Sequence, residues 1–190
     1  MIKAIFLAAG QSKRIKYENK LVKRYKKTPL INHSLKVLHK SKVNKVIIVL
    51  GHQHKEVKKI ILKNKKNIFI YNKDYKKGMA SSIKVGLKKV ARNDKGFIVV
   101  QSDMPFIKKS DINKIYNSIK LKKFLVHVLK FKNKIGNPIG FDISLTKKFK
   151  KIKGEYGAKF MVRRLKNRTN FINVNSSKVF KDFDLKKDFN

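Results

Sequence analysis

The segment from Ile2 to Lys20 constrains the fold more than any other part of the chain. Ile2-Lys3-Ala4-Ile5-Phe6-Leu7 has the length and apolar composition of a buried strand. It opens directly into Ala8-Ala9-Gly10-Gln11-Ser12-Lys13-Arg14, and Lys20 follows six residues later. Small residues at such a point let backbone N–H groups close on phosphate oxygens, while Ser12, Arg14 and Lys20 add a hydroxyl and two cations. A loop of this kind can hold a triphosphate. It is not a Walker loop, because the G-x-x-x-x-G-K-S/T spacing is absent, and no G-x-G-x-x-G occurs either.

Strand-like and helix-like segments alternate behind that loop, which predicts an α/β fold. Strands are expected near 2–7, 44–50, 67–72, 96–101, 124–131 and 137–142, with extended segments near 170–175 and 178–183. Helices are expected near 30–41, 54–64, 79–92, 110–120, 144–150 and 156–166, with Ser110 as an N-cap. With 190 residues, 42% hydrophobic content and no Pro/Gly/Ser linker, residues 1–190 read as a single domain. In such sheets ligands gather beyond the carboxyl ends of the strands.

No cysteine is present, which excludes disulfides, thiolate metal sites and cysteine nucleophiles. No stretch approaches the roughly 18 apolar residues of a membrane span. The apolar run from Ala4 to Ala9 is also shorter than the ~7–15 residues of a signal core, so a soluble, cytoplasmic protein is expected. The formal charge of +39 raises nucleic-acid binding as a function. However, of the 50 cations only Arg14, Arg24, Arg92, Arg163, Arg164 and Arg168 are arginines, and the lysines are scattered through nearly every segment. Base readout favours arginine, so no specific nucleic-acid partner is expected. The charge instead attracts small anionic substrates.

With only eleven acids in the chain, each position is informative. Asp103 follows the apolar run Gly96-Phe97-Ile98-Val99-Val100, placing a carboxylate just past a buried strand, where Pro105 stops it. Such a carboxylate can cap a loop, or it can hold Mg²⁺, which takes one or two protein carboxylates plus phosphate oxygens and water. Asp182-Phe183-Asp184 puts two carboxylates on one side of an extended segment, and either could complete the site. His52 and His54 flank Gln53, but without a supporting ligand set they read as a loop pair at a helix start.

Taken in order, these residues resemble a known family. Leu7-Ala8-Ala9-Gly10-x-Ser12-x-Arg14, then Lys20-Leu21, Pro29-Leu30, the helix opening Gly78-Met79-Ala80-Ser81-Ser82, Asp103-Met104-Pro105, Gly136-Asn137-Pro138, Gly154-Glu155-Tyr156-Gly157 and Asp182-Phe183-Asp184 resemble the ordered motifs of MobA-like nucleotidyltransferases. The molybdenum cofactor cytidylyltransferases are the most similar branch. The resemblance implies a three-layer α/β sandwich with a mostly parallel sheet, of the Rossmann-like glycosyltransferase-A type. It implies nucleotide contacts from Leu7, Ala8, Ala9, Gly10, Ser12, Arg14, Lys20, Gly78, Ser82 and Asp103, with Arg14, Lys20 and Asp103 catalytic. Mg²⁺ would be held by Asp103 with Asp184 or, second, Asp182. Asn137, Pro138 and Gly157 would line the acceptor side.

The implied reaction transfers CMP from CTP to molybdopterin, or to another anionic phosphate acceptor, with a molybdoenzyme as recipient of the product. Gln11-Ser12-Lys13-Arg14 resembles the cytidylyl branch, whereas the guanylyl branch carries glycine where Ser12 stands. The chain departs from the family pattern at Ile15-Lys16 for Met-Gly, Asn137 for histidine and Leu185-Lys186 for Thr-Pro. A sugar or polyol phosphate acceptor, and a basic nucleic-acid-binding or accessory module on a degenerate transferase fold, remain the alternatives.

Overall fold

A computed structural model describes residues 1–12, 19–152, 154 and 157–189. In chain order the strands are β1 (Ile2–Ala8), β2 (Arg24–Tyr25), β3 (Thr28–Pro29), β4 (Lys45–Leu50), β5 (Asn67–Tyr71), β6 (Gly96–Gln101), β7 (Val126–Phe131), β8 (Lys134–Asp142) and β9 (Thr169–Asn173). The helices are α1 (Leu30–Lys40), α2 (His54–Ile60), α3 (Met79–Leu87), α4 (Lys109–Lys120), α5 (Thr146–Phe149) and α6 (Ala158–Arg164).

Apart from Lys3, whose buried ammonium pairs with Asp94 (2.8 Å), β1 is apolar because both of its faces are covered. Its side chains alternate between two hydrophobic layers, as the pleat requires. Ile2, Ala4, Phe6 and Ala8 pack with Leu35 and Leu38 of α1, Val57 of α2 and Ile115 of α4. Ile5 packs on the other side with Ile83 of α3, Phe149 of α5 and Met161 of α6. The sheet between the layers has seven strands in the order β5-β4-β1-β6-β8-β7-β9, with β2 and β3 forming a separate small ladder. β8 runs antiparallel to both of its neighbours, and every other pairing in the large sheet is parallel. This is the expected mostly parallel three-layer sandwich. From β1 the chain winds outward to β4 and β5, then crosses back to β6 on the other side of β1. The carboxyl ends of β1 and β6 therefore flank a topological switch point, where α/β sheets bind ligands.

Val128 of β7 pairs with Ile139 of β8, but the next residue, Leu129, pairs with Gly136. Asn137 and Pro138 are the extra residues of a bulge on β8, joined by a cis peptide bond. β8 pairs with β6 only from Ile139 onward, so the β7–β8 hairpin continues past the end of β6.

Several elements end earlier than periodicity suggests. α2 stops at Ile60 because Asn32 of α1 takes over its terminus: the Asn32 amide donates to the Ile60 carbonyl (2.8 Å) and accepts from the Leu62 N–H (3.2 Å). α3 stops at Leu87, and Asp94 receives the Ala91 N–H (2.8 Å). The N-cap of α4 is Lys108, not Ser110, with Asp111 reaching back to the Lys108 N–H (2.9 Å). The expected extended segment 178–183 is instead a 3₁₀ turn at Ser177–Phe180, followed by irregular chain.

One buried titratable group makes stability depend on pH. His127 of β7 is fully buried, and its Nδ1 lies 2.7 Å from Ser118 Oγ. That hydroxyl also accepts from Asn170 Nδ2 (2.7 Å), so its own proton goes to the imidazole, which is neutral. Burial lowers the His127 pKa to about 4. A chain unfolded near pH 5 binds a proton that the folded state refuses, so stability falls as pH drops from ~6.5 towards 4, by about 3 kcal/mol in total. Urea midpoints between pH 7 and 4.5 should fall more steeply for the wild type than for His127→Gln.

Candidate active site

The carboxyl ends of β1 and β6 are tied together before any ligand is considered. Ser102 Oγ donates to the Leu7 carbonyl (2.7 Å), which holds Asp103 beside the small-residue loop. Past the loop, the Asn19 side chain accepts the Leu21 N–H (3.1 Å), and its carbonyl accepts the Val22 N–H (3.0 Å). Leu21 is buried as the anchor of that turn. The Lys20 N–H donates to Ser12 Oγ (3.1 Å), with Ser12 itself in the left-handed region at φ 53°. This turn aims the Lys20 side chain inward.

The C-terminal segment supplies the opposing charge. Phe183 is almost completely buried, with its ring against Tyr25 (4.8 Å), Phe106 (5.7 Å) and Phe189 (5.3 Å). Its N–H donates to the Asp103 carbonyl (3.0 Å), so this tail docks on the end of β6. Asp188 steadies the turn that follows by accepting the N–H groups of Asp184 (3.0 Å) and Leu185 (2.9 Å). The result is a three-group cluster: Lys20 Nζ donates to Asp103 Oδ2 (2.6 Å) and to Asp184 Oδ1 (2.7 Å).

Phe183→Ala removes the anchor of this tail without touching a charged group. We expect a stability loss of about 3–5 kcal/mol, and activity recovered only in part when the variant is assayed well below its melting temperature. Turnover equal to wild type at low temperature would show that Asp184 does not need the docked tail.

A cleft of about 440 Å³ opens above the cluster. It is lined by Leu7, Ala9, Gly10, Gln11 and Ser12, by Tyr75, Lys76, Gly78, Met79 and Ser82 around the start of α3, by Gln101, Ser102 and Asp103, and by Lys20, Leu21, Asp182 and Asp184. Ten of the residues singled out in the sequence thus share one cavity: Leu7, Ala9, Gly10, Ser12, Lys20, Gly78, Ser82, Asp103, Asp182 and Asp184. Ala8 packs instead into the core between sheet and helices. Arg14 lies outside the described residues. Asn137 and Pro138 do not line the cleft. Asn137 stands behind it, donating to Gln101 Oε1 (2.7 Å). Gly157 sits against Met79, where a Cβ would come within 2.6 Å of its sulfur. The rings of His52 and His54 contact different tyrosines, Tyr75 and Tyr71, and do not form a pair.

Gly78 has φ 92°, a conformation that any side chain would strain, and it leads directly into α3. Ser82 Oγ accepts from the fully buried Asn72 (3.0 Å), so its hydroxyl is oriented from below. Sequence reasoning missed Tyr75, Lys76, Met79 and above all Gln101. A polar residue closing an otherwise apolar strand, two positions before Asp103, was the available signal for Gln101.

The electrostatics are those of a site with closely crowded acids. Burial pushes the Asp103 carboxyl above the usual carboxylate range; Lys20 pulls it back in part, and the Asp182 charge adds to the rise. Burial alone would lower the Lys20 ammonium, but Asp103 and Asp184 outweigh it and hold its pKa above the ordinary lysine value. Asp103 Oδ1 is buried and has no hydrogen-bond partner in the structure. An orphaned carboxylate oxygen beside a second carboxylate is a hard-oxygen donor set, and it fits a divalent cation. Among the described residues no group of three or more His, Asp or Glu converges, so protein would supply two ligands and leave the rest to phosphate oxygens and water.

Residues 4–169 match the MobA-like NTP transferase domain family. The chain belongs to that family. It is 27% identical over 140 residues to the bifunctional protein GlmU of Clostridioides difficile strain 630, an alignment covering 73% of this chain but 29% of that protein. The chain thus spans less than a third of the length of the curated relatives it matches. Among solved structures, Rv0371c of Mycobacterium tuberculosis H37Rv superposes with a TM-score of 0.87 at 20% identity, covering 99% of this chain and 95% of that one. The same protein has been solved in complex with manganese (TM-score 0.82, 19% identity, 99% and 95% coverage). A nucleotidyl transferase from Methanothermobacter thermautotroptrophicus gives 0.84 at 17% identity, covering 100% and 94%. The family level of the expected resemblance is borne out, and the matches carry no preference for its molybdenum cofactor cytidylyltransferase branch. No helix among the described residues of this MobA-like chain is long and apolar enough to cross a membrane.

Proposed function

We propose that this chain is a Mg²⁺-dependent nucleotidyltransferase that moves CMP from CTP to the phosphate of molybdopterin and releases pyrophosphate. One observation carries the reading: Lys20, Asp103 and Asp184 meet within hydrogen-bonding distance beneath a loop of small residues at the switch point of the sheet. In the reaction an acceptor phosphate oxygen attacks the α-phosphorus, forming a new P–O bond as the bond to the bridging oxygen breaks. Pyrophosphate leaves with that electron pair. A bound divalent cation supplies charge neutralisation on the phosphates and orients them.

The chain's own residues do the rest. Backbone N–H groups of Gly10 to Ser12 close on phosphate oxygens, and Lys20, with Arg14, offsets negative charge that develops on the leaving group. Asp103 and Asp184, with Asp182 close by, hold the cation. Gly78 and Ser82 border the nucleoside. Asn137, Pro138 and Gly157 act on the acceptor side through Gln101 and Met79. Catalysis is by positioning and electrostatics, with no covalent intermediate.

A second reading, a sugar or polyol phosphate acceptor, is favoured by Gln101, an uncharged amide on the cleft wall held from behind by Asn137 (2.7 Å) and suited to hydroxyl groups. The test is pyrophosphate release with Mg²⁺ and labelled CTP in the presence of equimolar GTP, ATP and UTP, with molybdopterin or a panel of sugar phosphates. Preferential CMP incorporation into molybdopterin is the expected result. GMP incorporation would sink the cytidylyl assignment, and a sugar phosphate product the acceptor. Absence of pyrophosphate release under every condition would leave a basic binding module on this fold.

A further inference from the structure

Lys20 occupies the gap between Asp103 Oδ2 and Asp184 Oδ1, so that of the Asp103 carboxylate only Oδ1 is left open to a cation. Its ammonium lies 2.6 Å from Asp103 and 2.7 Å from Asp184, bridging both carboxylates. A divalent ion cannot enter between those oxygens while the ammonium stays, because two cations a few ångströms apart in a partly desolvated site repel strongly. The side chain is only 13% exposed, so leaving the carboxylates without a new partner strands a charge. The backbone is no obstacle to the move. It is fixed by the Ser12 and Asn19 contacts, so the side chain alone can swing.

We propose that Lys20 is an internal counter-cation that closes the metal position until nucleotide arrives, so that free divalent cation is excluded and cation and triphosphate bind as one unit. Phosphate oxygens give the ammonium a second home, and only their presence makes its departure from Asp103 and Asp184 favourable. The net charge of +39 works in the same direction, lowering the local concentration of free divalent cation and raising that of an anionic metal–nucleotide complex. The inference rests on the metal-dependent transferase reading above and adds a binding order to it.

The test is Mn²⁺ binding by electron paramagnetic resonance, without turnover. Wild-type protein alone should bind Mn²⁺ weakly, and Lys20→Met should bind it at least ~10-fold more tightly, a change of about 1.4 kcal/mol. Lys20→Arg, which keeps the charge, should stay weak. Equal or weaker Mn²⁺ binding by Lys20→Met overturns the proposal. If Mn²⁺ binds to none of the proteins, even with the non-hydrolysable α,β-methylene analogue of CTP, the metal-dependent reading itself fails. Should Lys20→Met not fold, the wild type decides by thermal melting. The proposal expects no shift with Mn²⁺ alone and a rise with Mn²⁺ and the analogue together. A shift with Mn²⁺ alone as large as with both would overturn it.

Discussion

Asp103→Asn is expected to lower turnover by roughly 10³-fold while the far-UV spectrum and melting temperature stay close to wild type. The amide preserves the shape of the side chain at the end of β6, and the Phe183 N–H still finds the Asp103 backbone carbonyl. What disappears is one of the two negative charges facing Lys20, and with it the ligand we propose for the cation. The wild-type protein should show a related signature in its pH profile. Burial raises the Asp103 pKa above the ordinary value of 3.8, and the protonated acid cannot hold a metal. Activity should therefore fall on the acid side before an exposed aspartate would protonate. Turnover near wild type for the asparagine variant at saturating Mg²⁺ would show that the carboxylate has no metal role.

Lys20→Ala should reduce kcat/KM for the nucleotide by roughly 10- to 100-fold, the cost of about 1.5–3 kcal/mol for one charge-assisted contact to phosphate. A lysine outside the cleft, such as Lys122, should change only the salt dependence when removed. The comparison matters in a chain with 50 cations, since a general positive field would make the two positions equivalent. Equal losses at Lys20 and Lys122 would mean that bulk charge, and not a built site, attracts the substrate.

Much of this arrangement was legible before the structure. β1 and β6 are mostly apolar runs, broken only by Lys3 and closed by Gln101, that lead into a small-residue loop and into Asp103, so pattern and punctuation agree. The alternation of Asp182, Phe183 and Asp184 put two acids on one side, and the structure buries the residue between them. What stayed hidden depends on distant partners. Nothing local in His54–Ile60 announces that Asn32 will end the helix. The segment 178–183 carries the apolar residues Val179, Phe180 and Phe183, but it pairs with no strand among the described residues; it turns and docks through Phe183. Gln101 gains its meaning only from Asn137, which the bulge in β8 sets beside it.

The continuation of the β7–β8 hairpin past the end of β6 separates two kinds of change that proteins usually cannot make independently. Below the bulge, every residue of β8 is committed on two sides, and an inserted residue would invert the pleat of the whole core. Above it, Lys134 to Gly136 pair as strand with β7 alone, although Gly136 also sits against Phe180, so the tip at Lys132 and Asn133 can lengthen, shorten or be exchanged without displacing a registered pair beneath. The hairpin tip is a place where descendants or engineers can change length and sequence while the pairing of β8 with β6 stays the same.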